Sequence, residues 1–437
     1  MVFSILLCCV VLYIIIRFYT RYFCSSISVI LSPFIRLYIK KRIKDGLEDP
    51  KRIDERFGIP SKNRPMGDIV WIHAVSVGEV ISSIPFIKIF KENNPDINIL
   101  LTTTTLTSSR IVEQRLSDIV IHQFIPFDVS RWIRRFVKFW KPKAVFFVES
   151  EIWPNTLFYL YGKDIPIYLL NTRISMRSLK RMYILSKYFG ILPFRLFREV
   201  FVPSEEVRGY VLDLGGQSVS IIPNMKVIAE KLPFSIEDSK KIHNMIDNRK
   251  TWICLSTHKG EEEIILSIHK KMREKINDIL TIIAIRHPNR SREIIDICED
   301  NNISYTLHSE YFQKQNNHNI ETDIYIIDEI GCLGMFLDNI KTVFVGGSLI
   351  KGIGGHNIVE PLNFGCHVTT GQYIENFRDM IPYFKNVWTI SKNEDEIISF
   401  IEKNIVYTEN THKNDDIEKY REQWRRLVMR ISREFIY

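Results

Sequence analysis

From Ile69 onward the chain alternates between short, unbroken apolar runs and longer stretches of helical character. The runs are rich in β-branched and aromatic residues: Ile69–Val75, Ile97–Thr105, Ile119–Phe127, Ala144–Val148, Ile165–Leu170, Val200–Pro203 and Val219–Ile222. A second series follows at Trp252–Thr257, Ile279–Arg286, Ile303–Thr306, Ile324–Ile327, Thr342–Val345 and His367–Thr370. A strand with no polar alternation is buried on both faces, so apolar strands separated by helices predict parallel sheets with helices on either side. Two such series, joined near Pro223–Phe234, predict an α/β protein of two doubly wound, Rossmann-like domains facing a cleft. A length of 437 residues agrees with two domains. The predicted boundaries are 65–225 and 226–437. The polar, Asn-rich stretch Glu310–Thr322 reads as a loop.

Before Ile69 the pattern changes. Met1–Ile16 is almost wholly apolar, slightly short for a straight span of about 20 residues. It lacks a basic leading region and a small-residue cleavage site, which favours a retained anchor over residues 1–22. A buried N-terminal helix is the alternative. Twelve Lys/Arg against five Asp/Glu lie between Arg17 and Arg64, so nearly the whole formal charge of +8 sits just after the apolar stretch Met1–Ile16. Residues 23–64 therefore read as a basic juxtamembrane segment. By the positive-inside rule it faces the cytoplasm, against the anionic lipids of an inner membrane. Within it, Ser28–Ile43 has the pattern of an amphipathic segment lying on the bilayer. The placement of the charge argues against nucleic acid as partner, as does the lack of any RNA- or DNA-binding motif. The seven cysteines form no C-x-x-C pair, which suits reduced thiols in a cytosolic body.

Candidate chemistry gathers where predicted strands end. Ser76-Val77-Gly78-Glu79 reads as a turn between the first strand and the next helix. Gly78 there lets backbone approach a ligand, and Glu79 sits in a first helical turn that favours its charged form. Taken alone, a Glu in such a turn more often only caps its helix. Glu149-Ser150-Glu151 ends another strand ahead of Trp153-Pro154-Asn155. Glu149 and Glu151 there suit sugar hydroxyls or acid–base work. Asn171, Arg173 and Arg177 follow the next strand, with the two arginines suited to bidentate pairing with a carboxylate or phosphate. Arg177–Phe201 mixes basic and aromatic residues, which suits either a lipid surface or a buried helix pair with ordinary surface charges.

In the second series, Thr342–Val345 runs into Gly346-Gly347-Ser348, and Gly352, Gly354 and Gly355 precede a helix expected near Asn357. Glycine-rich backbone entering a helix N-terminus presents N–H donors to a nucleotide phosphate. Loop geometry alone also explains the glycines. Glu360, one turn on, is placed to accept from ribose hydroxyls. Thr257-His258 and Arg286-His287-Pro288 close two further strands with groups suited to an anion. No Asp-x-Asp signature follows a strand, so no metal or other cofactor is expected.

Ser76-Val77-Gly78-Glu79, Glu149-Ser150-Glu151-Ile152-Trp153-Pro154-Asn155 and Gly354-Gly355-His356-Asn357-Ile358-Val359-Glu360-Pro361 occur in that order in one chain. In this the chain resembles the 3-deoxy-D-manno-octulosonic acid (Kdo) transferases of lipopolysaccharide synthesis, from the N-terminal anchor to about Phe384. The resemblance implies the GT-B glycosyltransferase architecture, with a last helix, Asp415–Phe435, that crosses back to the first domain. It implies transfer of Kdo from CMP-Kdo to a lipid A precursor (lipid IVA), with inversion. On that reading Glu79 is the general base. Ser76, Gly78, Glu149, Glu151, Asn171, Arg173, Arg177, Thr257 and His258 meet substrate. Arg286, His287, Pro288, Gly346, Gly347, Ser348, Gly355, Asn357 and Glu360 seat CMP. The pattern departs at Cys332, where the family usually has Glu, and Glu329 stands nearby. Two other readings stay open: another lipid-linked glycosyltransferase or a sugar-nucleotide epimerase on the same fold, and a non-catalytic membrane-surface binding protein.

Overall fold

The computed structural model describes residues 25–26, 28–149, 152–246, 249–313, 320–384, 388–405 and 415–436. The chain forms two compact units. One takes the chain up to Ile228 together with the C-terminal helix from Tyr420 onward, and the other is Ala229–Lys419.

The first unit is built on seven strands: β1 (Ile69–His73), β2 (Asn98–Thr103), β3 (Val120–Phe124), β4 (Ala144–Val148), β5 (Ile167–Leu170), β6 (Glu199–Val202) and β7 (Val219–Ile221). All are parallel, in the order β3-β2-β1-β4-β5-β6-β7. The order reverses between β1 and β4, so the crevice at their carboxyl ends is the switch point where open α/β sheets bind ligands. Side chains alternate across the sheet. Val70 and Ile72 enter one core with Phe86, Phe146 and Tyr168, while Ile69 and Trp71 enter the other with Phe136, Trp140 and Phe147. Both cores are fully buried, which is why β1 and β4 show no polar alternation.

The second unit has β8 (Lys250–Thr257), β9 (Ile279–Ile285), β10 (Tyr305–Leu307), β11 (Ile324–Ile327), β12 (Thr342–Val345), β13 (His367–Thr370) and β14 (Trp388–Ile390). These too are all parallel, in the order β10-β11-β9-β8-β12-β13-β14. Here the switch point lies between β8 and β12. The expected runs match thirteen of these fourteen strands within a few residues. β14 was not expected: it is a short edge strand with an apolar start and exposed Thr389 and Ile390. The stretch expected as a loop from Glu310 begins inside a helix, His308–Gln313.

Two boundaries differ from expectation. The C-terminal helix, Asp415–Ile436, drives Trp424, Leu427, Val428 and Ile431 into the first unit's core, where Trp424 Nε1 donates to the carbonyl of Pro223 at 3.1 Å. The second domain therefore ends at Lys419, near the start of this helix, rather than at 437, and the helix crosses back to the first unit as the family resemblance implied. Part of the segment 23–64 is also core rather than a separate element. Arg56, 2% exposed, pairs with buried Glu48 at 2.8 Å and donates to the carbonyls of Ile125 and Thr104. Glu55, fully buried, pairs with Arg52 and accepts from the Phe124 amide. A buried ion pair of this kind is tolerable only when its hydrogen bonds are complete, and carbonyls beyond β2 and β3 complete this one.

Among the described residues no helix is long and apolar enough to cross a membrane. The expected anchor, residues 1–22, lies outside them. The helix Ser32–Lys44 buries only Ser32 and Ile39 and exposes Phe34, Leu37 and Tyr38 beside its lysines. Cys254, Cys298, Cys332 and Cys366 are free thiols.

Candidate functional site

At the end of β1, Ser76 caps the helix Val77–Asn93, its hydroxyl accepting from the Glu79 amide. Glu79 reaches back in return, accepting from the Val75 amide at 2.8 Å and from the Ser76 hydroxyl at 3.0 Å. This reciprocal pairing is close to a capping box, with the Glu79 carboxylate taking the N–H of the residue before the cap, and it fixes the carboxylate at the helix start. The helix begins at Val77, so Gly78 lies in its first turn and not in a loop. A Cβ there meets nothing closer than 3.9 Å, and the close backbone approach expected of Gly78 is not what its position demands. Fully buried His73 stands at the end of β1, its Nδ1 at 2.9 Å from the Thr102 hydroxyl. Burial lowers its pKa to about 3, so it is neutral.

The neighbouring strands bring further groups to the same edge. Glu149, after β4, has φ +62, and Asn171, after β5, has φ +55. Non-glycine residues in the left-handed region are strained and concentrate at functional sites. Glu149 faces Lys226, 3.8 Å away, and Asn171 Oδ1 accepts from the Met225 amide at 3.2 Å. Lys226 carries no motif of its own and was missed in the sequence; only the fold brings the segment after β7 beneath β4 and β5. Arg173, two residues after Asn171, is half-buried. Ser150 and Glu151 lie outside the described residues. Asn155 is structural: Asp128 accepts from the Asn155 and Thr156 amides at 3.0 and 2.8 Å and seats the helix Pro154–Tyr161. Arg177 is exposed on the helix Met176–Phe189, which also exposes Met176, Tyr183, Ile184, Leu185 and Tyr188.

In the second unit the glycine-rich loop after β12 already holds an anion, and it belongs to the protein. Glu261 opens the helix Glu261–Lys275 and is fully buried. It accepts from the amides of Gly347 at 2.7 Å, Ser348 at 3.0 Å, Leu349 at 2.9 Å and His258 at 3.0 Å. The Gly346 amide donates to Leu255 and the Gly355 amide to Gly347. The expectation that Gly346, Gly347, Ser348 and Gly355 turn their N–H groups to a phosphate is therefore corrected, since all four are engaged inside the fold. The glycines are needed for packing. A Cβ on Gly347, at φ +69, lies 2.7 Å from the His356 ring, and one on Gly355, at φ +80, lies 2.4 Å from Phe377. Glu261 was legible as part of an acidic helix start, Glu261-Glu262-Glu263, but not as the partner of a loop about ninety residues on.

What remains at this edge is a cluster of side chains. Thr257 is buried at the end of β8. His258, half-buried, meets His356 with Nε2 to Nε2 at 2.7 Å. Arg286 and His287, after β9, are exposed, and Pro288 starts the turn Pro288–Arg290. Arg290 pairs through two nitrogens with buried Glu262, at 3.1 and 3.3 Å. Asn357 Oδ1 accepts from the Val359 amide at 3.1 Å, and half-buried Glu360 lies in the short helix Val359–Asn363. Cys332 is half-buried, its thiol pointing at the Glu329 carbonyl, with Glu329 more than half exposed 3.9 Å from His308. Among the described residues no group of three or more acidic, His or Cys side chains is arranged to hold a metal.

Known proteins resemble the chain in fold and in sequence. Among solved structures, a UDP-GlcNAc 2-epimerase from Neisseria meningitidis is similar with a TM-score of 0.53 and 14% identity, over 81% of this chain and 98% of that one. A glycosyltransferase from Rickettsia africae is similar with a TM-score of 0.53 and 12% identity, over 84% and 94%. At such identities the likeness speaks for the fold alone, two parallel-sheet α/β domains of GT-B type. Sequence relatives go further. A 3-deoxy-D-manno-octulosonic acid transferase of Rickettsia felis is 30% identical over 92% of this chain and 95% of its own length. That of Rickettsia typhi is 32% identical over 82% and 76%. The family model for 3-deoxy-D-manno-octulosonic-acid transferase (kdotransferase) matches residues 51–229, the stretch that holds Glu79, Glu149, Asn171 and Lys226. With these residues gathered at the carboxyl edge of its first sheet, the chain belongs to the Kdo transferase family of glycosyltransferases and transfers Kdo in lipopolysaccharide synthesis.

Proposed function

We propose that the chain takes Kdo from CMP-Kdo and joins it, with inversion, to a phosphorylated lipid A precursor of the lipid IVA type. The observation that carries the reading is Glu79. Its carboxylate is fixed by two hydrogen bonds at the first sheet's switch point, in a chain of the Kdo transferase family. As general base it accepts the proton of the acceptor hydroxyl while that oxygen attacks the anomeric carbon and CMP departs. Glu149, Asn171, Arg173 and Lys226 stand at the same edge and are suited to sugar hydroxyls and to the anions of donor or acceptor. Arg286, His287, Asn357 and Glu360 are the groups suited to CMP. Negative charge on departing CMP is met by these fixed cations and donors, with no metal ion.

Membrane attachment completes the reading. Residues 1–22 anchor the chain in the inner membrane, with the folded body on the cytoplasmic side. The exposed apolar and basic side chains of the helices Ser32–Lys44 and Met176–Phe189 suit an anionic lipid surface near the lipid acceptor.

Replacement Glu79→Gln tests the role of the base. Gln keeps size and hydrogen-bonding shape but accepts no proton. Single-turnover transfer is expected to fall by about 10² to 10⁴, with CMP binding unchanged and a stability loss of roughly 1 kcal/mol from the weakened cap. A Gln variant that is slightly less stable and fully active would leave Glu79 a capping residue only.

A further inference from the structure

His258 and His356 make an unusual contact. Their Nε2 atoms are 2.7 Å apart, the ring planes differ by 4°, and the centroids are 5.0 Å apart. That centroid separation is the N–N distance plus two ring radii. The rings therefore lie end to end in one plane rather than face to face. Two nitrogens this close need a proton between them: one ring donates Nε2–H, and the other accepts on its Nε2 lone pair. The accepting ring then carries its own N–H at Nδ1. Gly347 makes the contact sterically possible, because the His356 ring occupies the place of a Cβ on that residue.

The contact limits what the pair can hold. Neutral, it has two N–H protons, one of them central. A third proton fits on Nδ1 of the donating ring and turns the central bond into a charge-assisted one, which is shorter and stronger. A fourth would set two N–H groups against each other and break the contact. The pair thus titrates as a unit and takes up one proton while intact.

The surroundings decide when it does so. The cations Arg286 and Arg290 and the ring of His287, whose centroid is 5.7 Å from that of His258, face the pair from the segment after β9. From the helix Glu261–Lys275 it is faced by Glu261, whose carboxylate is held by four amides. Burial, then His258, Arg286 and His287, lower the His356 pKa to about 4; burial also lowers that of His258, where Glu261 raises it and His287, Arg290 and Arg286 lower it. The empty pair is therefore neutral at neutral pH. A phosphate beside Arg286 and His287 reverses the sign of the local field, since a phosphomonoester carries close to two negative charges above a pKa of about 6. Each opposite charge within about 4–6 Å raises a histidine pKa by roughly 1–3, which lifts the pair towards neutral pH.

We propose that the head-to-head pair His258–His356 is a one-proton sensor of the nucleotide phosphate, neutral in the free protein and singly protonated when the phosphate is bound. Resting on the CMP reading above, it gives the second unit a positive charge that appears only with its ligand. The sign for affinity follows. Uptake of a proton on binding means that CMP binds more tightly as pH falls through the range between the free and bound pKa values.

Isothermal titration of the full chain with CMP at neutral pH, in two non-phosphate buffers of different protonation enthalpy, tests this. About one proton is expected to be taken up per CMP bound, and none with cytidine, which lacks the phosphate. CMP's own phosphate gives the opposite sign, because cations around it favour proton release. His356→Gln and His258→Gln are each expected to lose the uptake, while His243→Gln, an exposed histidine on the helix Ile236–Ile246 outside the site, retains it. The contrast of CMP with cytidine needs no variant and decides the uptake even if a substituted chain fails to fold. CMP binding by the wild type without uptake, or uptake undiminished in both pair variants, would overturn the sensor and leave the CMP reading standing. No CMP binding at all would overturn the CMP reading and the sensor with it.

Discussion

Glu261 shows how little of a residue's role is legible from its neighbours in the chain. The glycines at 346, 347, 354 and 355 announce a loop of unusual backbone, and a phosphate cradle is the usual chemistry of such loops. The fold fills the cradle instead with a carboxylate from the start of another helix. Four N–H groups converge on it in a buried site. Glu261→Gln keeps the volume but turns an amide NH₂ toward two of those donors, since each carboxylate oxygen accepts from two amides. Each buried donor left without a partner costs about 1–3 kcal/mol, so urea denaturation is expected to show a loss of roughly 2–5 kcal/mol; a loss below about 1 kcal/mol would contradict the assigned network. Glu79 was legible because its partners, Val75 and Ser76, are its own neighbours. Lys226 and His356 were not, since each acquires its role from a segment distant in sequence.

At the scale of elements the sequence is far more informative. Strands buried on both faces must be continuous apolar runs, and β1, β4, β11, β12 and β13 are read almost to the residue. The misses have physical causes. β14, with Thr389 and Ile390 exposed at a sheet edge, has too little burial to leave a pattern. The crossing of the C-terminal helix to the first unit is what the family resemblance implied, and it is found; only the domain boundary was misplaced, because periodicity shows a face and not what covers it. That face belongs to the first unit, where Trp424 packs against Phe86 with ring centroids 6.0 Å apart. Trp424→Ala is expected to destabilise the first unit by about 3–5 kcal/mol, read as a lower melting transition for the chain. An unchanged melt would show that the helix adds nothing to that core.

For the molecule as a whole, the proposed function divides along the chain. On that proposal the first unit contributes the candidate base, the second the groups suited to CMP, and residues 1–22 the attachment to membrane. No candidate site residue precedes Ser76, although the buried pairs of Glu48 with Arg56 and of Arg52 with Glu55 mean that the folded body starts well before β1. Deletion of residues 1–22 is accordingly expected to leave a folded chain that binds CMP and partitions less to anionic vesicles. Deletion beyond Glu48 is expected to unfold the first unit, and a 1–22 deletion that abolishes nucleotide binding would make that stretch core rather than anchor. The central claim is the transfer itself. Its most direct test is mass spectrometry of a tetra-acylated lipid A precursor incubated with the full chain and CMP-Kdo in excess chelator. The account predicts acceptor heavier by Kdo, with release of CMP. Unchanged acceptor in chelator, or transfer that appears only when Mg²⁺ or Mn²⁺ is restored, would contradict it.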